Sequence, residues 1–90
     1  MKTKPLSQHG GLVRPRIILA HRRLTTSISL EPVLWEALQE IAAEQDKTVH
    51  QLVAEIDQTR TGTLSASIRV FIVEYYRGAL RAVRQAAGSR

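Results

Sequence analysis

The residues able to do chemistry are few. His9, His21 and His50 stand far apart, and no pair has the i, i+4 spacing that sets two imidazoles on one helix face. There is no cysteine, so no thiolate metal site and no disulfide can form. Ser65 and Ser67 have no histidine or acid spaced to activate them, and they read as caps at a helix start. No glycine-rich phosphate loop occurs. The expectation is therefore of no enzyme, no catalytic residue, no metal and no cofactor.

What remains is charge, and it is unevenly placed. Residues 1 to 23 carry Lys2, Lys4, Arg14, Arg16, Arg22 and Arg23 with no acid. Residues 24 to 74 hold three bases against eight acids, and residues 75 to 90 return to arginine alone, at Arg77, Arg81, Arg84 and Arg90. An acidic middle between two basic ends suits a polyanion next to the N-terminal region. At 90 residues the chain is one small domain, short enough that a second copy would help complete its core. No apolar run approaches the length of a membrane helix or a signal peptide, so no membrane partner and a cytoplasmic, nucleoid-associated location are expected.

The element that must position any site is Arg23 to Leu30. Leu24, Thr26, Ile28 and Leu30 fall on one face, and Arg23, Thr25, Ser27 and Ser29 on the other. That period of two predicts a half-buried β-strand. A lone strand leaves its N–H and C=O groups unpaired, and no second strand follows. The expected partner is the same strand of a second copy. Residues 1 to 21 read as a flexible basic arm, although Arg14 to His21 reads either as an extension of the strand or as a segment folded back over the core.

Everything downstream is helical. Pro32 suits a first turn, and Leu34, Leu38 and Ile41 repeat at helical spacing up to about Gln45. Glu36, Glu40 and Glu44 line the opposite face, and Trp35 sits beside the apolar stripe as a core or interface ring. Thr48 with Gln51 forms a capping-box pattern for a second helix, Val49 to about Gln58, buried through Leu52, Val53 and Ile56. A long third helix is predicted from about Leu64 to Ala86 or Ala87, with residues 88 to 90 as a tail. Its apolar surface is wide enough to pack on two sides.

The order of strand, helix, tight turn and helix, from Arg23 to Ile56, resembles the ribbon-helix-helix DNA-binding superfamily of the Arc and methionine repressors. Thr25-Thr26-Ser27-Ile28-Ser29-Leu30 resembles its ribbon, and Asp46-Lys47-Thr48-Val49 its turn. The likeness to small stand-alone bacterial members runs to Tyr76 through Trp35-Glu36-Ala37-Leu38, Val53-Ala54-Glu55-Ile56-Asp57 and Leu64-Ser65-Ala66-Ser67-Ile68-Arg69-Val70-Phe71. The resemblance implies a mainly α fold, a ribbon-helix-helix dimer with an intermolecular two-stranded antiparallel β-ribbon and an additional long C-terminal helix, the domain spanning residues 22 to 87.

The same resemblance implies a function. The ribbon would enter the major groove of double-stranded DNA and present Arg23, Thr25, Ser27 and Ser29 to the bases. The start of the second helix would grip a phosphate through Thr48, Val49 and His50, aided by Lys47 and Arg22. Threonine and serine discriminate bases less sharply than arginine or asparagine do. Asp46 replaces the usual turn glycine and tolerates left-handed backbone. The expected role is a transcriptional repressor working as a homodimer or tetramer. The alternatives are an antitoxin that holds a protein partner on its C-terminal helix, and a scaffold that has lost DNA.

Overall fold

The strand with no partner downstream finds its neighbour upstream in its own chain. In the computed structural model, which describes residues 11–88, β1 (Arg16–Leu19) pairs antiparallel with β2 (Leu24–Ser27). A bridge between Val13 and Leu30 carries the pairing to the open end of the hairpin. Two readings are corrected by this. β2 has a strand partner within its own chain, and residues 16 to 21 belong to the fold rather than to an arm. Lys2, Lys4 and His9 lie outside the described residues.

The physical reason is local. Ala20–Arg22 form one 3-10 turn, closed by Arg23 at φ 56°, whose N–H donates to the Ala20 carbonyl at 3.1 Å. So short a loop closes with little loss of chain entropy. Burial alternates along β1, with Ile17 and Leu19 in the core and Arg16 and Ile18 exposed. Ile17 lies across from Thr26, and Leu19 across from Leu24. β1 is also the strand that packs against the second helix. Leu24, expected in the core, stays 44% exposed. It sits at the hairpin tip on the outer strand, while Leu19 opposite takes the core position. Ile28 and Leu30 are buried as the alternation predicts.

Three helices follow: α1 (Pro32–Glu44), α2 (Val49–Thr59) and α3 (Leu64–Gly88). Their ends fall within a residue or two of those read from the pattern. Pro32 occupies the first turn of α1. The capping box at α2 is complete: Thr48 Oγ1 accepts the Gln51 N–H at 3.0 Å, and Gln51 Oε1 accepts the Thr48 N–H at 2.8 Å. Such a cap contributes about 1 kcal/mol. Asp46 carries the left-handed turn between α1 and α2 at φ 63°.

The core joins Ile17, Leu19, Ile28 and Leu30 of the hairpin region to Leu38 and Ile41 of α1, Leu52 and Val53 of α2, and Ile68 and Ile72 of α3. Trp35 packs half-buried against it, as a core ring. Full burial of one such aliphatic side chain contributes about 1.5–3 kcal/mol. Arg69 ties the layers by donating to Glu31 Oε1 at 3.1 Å and to the Ser29 carbonyl. Beyond Tyr75 the long helix leaves this core, and every residue from Tyr76 to Gly88 is exposed. No helix among the described residues is long and apolar enough to cross a membrane.

Candidate nucleic-acid interface

Antiparallel pairing puts directly opposed residues on the same face of a hairpin. Arg16 stands across from Ser27, and Ile18 across from Thr25. The same register, continued to the Val13–Leu30 bridge, sets Arg14 across from Ser29. The outer face therefore joins Thr25, Ser27 and Ser29 to Arg14, Arg16 and Ile18. No acidic residue occurs before Glu31, so this face is basic without local compensation. Thr25 and Ser27 are exposed. Ser29 is half-buried, its N–H donating to Ser65 Oγ and its carbonyl accepting from Arg69, which fastens the exit of the hairpin to α3. Arg23 is exposed at the tip.

Sequence reasoning missed Arg14 and Arg16 as members of this face. The signal was present in their spacing of two, but Ile17-Ile18-Leu19 reads as an unbroken apolar run because Ile18 is an exposed isoleucine.

The start of α2 abuts the hairpin. His50 Nδ1 accepts the Ile18 N–H at 3.0 Å, so the outer edge of β1 is pinned to the first turn of the helix. The imidazole is thus turned to the strand. Lys47 Nζ donates to Glu55 Oε1 at 2.6 Å, and the Thr48 N–H is taken up by the capping box. The N–H groups of Val49 and His50 are first-turn donors that no intrahelical carbonyl satisfies. With the helix dipole they make an anion-favouring end beside the basic face.

Arg22 is not brought to that end. It lies with His21 beside Asp57 in the last turns of α2, about 12 Å from Val49 by helix rise. There Asp57, with its side chain almost wholly buried, gathers two arginines and a histidine. His21 Nε2 donates to Oδ2 at 2.8 Å, Arg22 Nε to the same oxygen at 2.5 Å, and Arg60 Nε to Oδ1 at 2.6 Å. Burial alone would raise this carboxyl. The hydrogen bonds from Arg60, Arg22 and His21, with the charge of Arg22, more than offset it and hold Asp57 well below the ordinary carboxylate range. Arg60 also donates to the Gly62 carbonyl, so one carboxylate joins the hairpin turn, α2 and the α2–α3 loop. The sequence signal was an acid on the apolar face of α2, next to Ile56 and one turn beyond Val53.

The family model described as "Ribbon-helix-helix domain" matches residues 16–76. The match opens at the first residue of β1 and closes inside α3, so it takes in both strands, α1, α2 and the first half of α3. Neither a curated protein nor a solved structure matches the chain.

Proposed function

The chain belongs to the ribbon-helix-helix family, and from that premise we propose that it is a DNA-binding transcriptional regulator whose β1–β2 hairpin enters the major groove. Domains of this family are typically those of DNA-binding transcription regulators or antitoxins. The observation that carries the reading is the outer face of the hairpin, where Arg16 stands across from Ser27 on a surface with no acid.

The major groove admits a two-stranded β-ribbon. Arg14 and Arg16 have the length and the fork to meet guanine, Thr25, Ser27 and Ser29 offer hydroxyls to base edges, and Ile18 suits a thymine methyl. This removes the main chemical weakness of a ribbon face built from serine and threonine alone. Arg23 extends the face at the tip. The N–H groups of Val49 and His50 would clamp a phosphate beside the groove, with Thr48 fixing the helix start and Lys47 adding charge. Arg22 meets Asp57 through Nε, which leaves its terminal nitrogens for a second phosphate at the far end of α2. Bound across a promoter, the protein acts as a repressor by occupation.

Duplex binding measured by fluorescence anisotropy tests this. Affinity should fall steeply between about 50 mM and about 200 mM salt. Replacing Arg16 or Arg14 by alanine should weaken binding and flatten the salt slope by about one if the side chain neutralises a phosphate, or relax base preference if it reads guanine. A variant carrying Arg23→Ala, Thr25→Ala and Ser27→Ala should keep its fold and lose DNA. No binding at micromolar protein and low salt leaves the scaffold reading instead. Binding together with capture of a protein on α3 is the antitoxin outcome.

A further inference from the structure

Between the end of α2 and the start of α3 runs a groove of about 370 Å³, all of whose walls come from these two helices and the loop that joins them. That size falls at the lower end of the range for small-molecule sites. Its floor is apolar, formed by Ile56, Val70 and Phe71. Val70 is 56% exposed, so the floor opens to solvent.

The helix dipoles do not set the sign of this groove. α2 ends and α3 begins beside it, so a negative and a positive helix end oppose each other. The side chains decide. Arg60 and Ser67 line the groove near the loop. Glu74 lies two turns further along α3, about 10 Å from Ser67 by helix rise.

Arg60 is held in place without being used up. Its Nε donates to Asp57 Oδ1 at 2.6 Å and its Nη1 to the Gly62 carbonyl, while Nη2 has no hydrogen-bond partner among the described residues. Two fixed nitrogens orient the plane of the guanidinium, so a ligand that meets the third has little ordering left to do. Asp57 is shared with Arg22. One carboxylate thus stands against two guanidiniums, and a positive charge is left over at this end of the groove.

We propose that the groove binds a small aromatic monocarboxylate, and that Asp57 couples this site to the hairpin turn. The carboxylate meets Arg60 Nη2 and the Ser67 hydroxyl in charge-assisted hydrogen bonds. The ring lies on Ile56 and Val70 against Phe71, whose own ring favours an aromatic neighbour. Glu74 repels a second anionic group at the far end. Asp57 carries the coupling because its two oxygens are divided. Oδ1 takes Arg60, while Oδ2 takes His21 and Arg22 of the hairpin turn. An anion that draws on Arg60 weakens its hold on Oδ1 and so changes the charge that His21 and Arg22 meet. Neither the site nor the coupling needs DNA.

Titration of the isotope-labelled full chain with phenylpropionate, followed by amide chemical shifts, tests this. Shifts should appear along the groove and at His21 and Arg22, with a Kd of about 1 mM or tighter. Phenylpropionamide should bind at least about tenfold more weakly, and phenylpropylamine should not compete. Val70→Glu, at an exposed position, should abolish binding with the thermal transition retained. Glu74→Gln should admit para-phenylenediacetate, which the unsubstituted protein rejects. Asp57→Asn should keep the groove shifts and lose those at His21 and Arg22. No shift at about 10 mM phenylpropionate, binding indifferent to Val70→Glu, or a preference for the amine overturns the site. Shifts that stop at Arg60 in the unsubstituted protein overturn the coupling. Phenylpropionate binding by a protein that fails to bind DNA upholds the site and removes only the function proposed above.

Discussion

The Ile18 N–H donates to His50 Nδ1 at 3.0 Å, and this bond alone joins a strand edge to a helix start 32 residues away. It aligns the hairpin's outer face with the anion-favouring end of α2. It also covers the β1 edge, which leaves Thr25 and Ser27 of β2 on the open side of the sheet.

Replacing His50 by alanine removes the acceptor without touching the core. Water can reach the freed N–H, so the expected loss is about 1 kcal/mol. Amide exchange at Ile18 should quicken while that of the α2 interior stays unchanged. An equally protected Ile18 amide in the variant would show that packing of Ile17 and Leu19, and not the imidazole, holds the strand.

Asp57→Asn keeps the shape of the side chain and removes its charge. The loss should be about 2 kcal/mol, moderated because Arg22, Arg60 and His21 all reach solvent. The pH dependence has a definite sign. The folded carboxyl is depressed, so its contribution is complete above its unfolded value of about 3.9 and is lost only as pH falls through the folded value. Urea midpoints between about pH 5 and pH 7 should therefore show no slope from Asp57. Below about pH 4 the parent should lose stability more steeply than the asparagine variant.

Asp46 holds φ 63°, a region glycine occupies without strain. Asp46→Gly should raise stability by about 0.5–1 kcal/mol, less what the freer unfolded chain takes back. It also removes a carboxylate three residues before Val49, the first residue of α2. Under the proposed function, DNA affinity should rise with it. A thermal melt and an anisotropy titration on the same variant separate the two effects.

The helices were legible in the sequence because their signals are local. Pro32, the Thr48–Gln51 box and the stripe of Leu52, Val53 and Ile56 act within one turn of chain. The hairpin was not, for two reasons. Its turn, Ala20-His21-Arg22-Arg23, contains no glycine or asparagine, and the left-handed position falls to an arginine. Its first strand hides the alternation because Ile18 is apolar on the exposed face. The polar face of β2 was legible as outward, with Thr25 and Ser27 exposed, but the β1 residues that share that face were not. The Asp57 cluster escaped for a third reason. Its partners are 35 and 36 residues away, and only the packing of β1 along α2 brings them in.

The turn of Ala20–Arg22 also sets the order of events as the chain folds. A ribbon shared between two chains can form only when they collide, so its formation slows on dilution. Here β1 and β2 meet across four residues, a closure on the microsecond scale, and the strand then docks on a helix of the same molecule. Formation of the hairpin should therefore be unimolecular, with a rate that does not change with protein concentration.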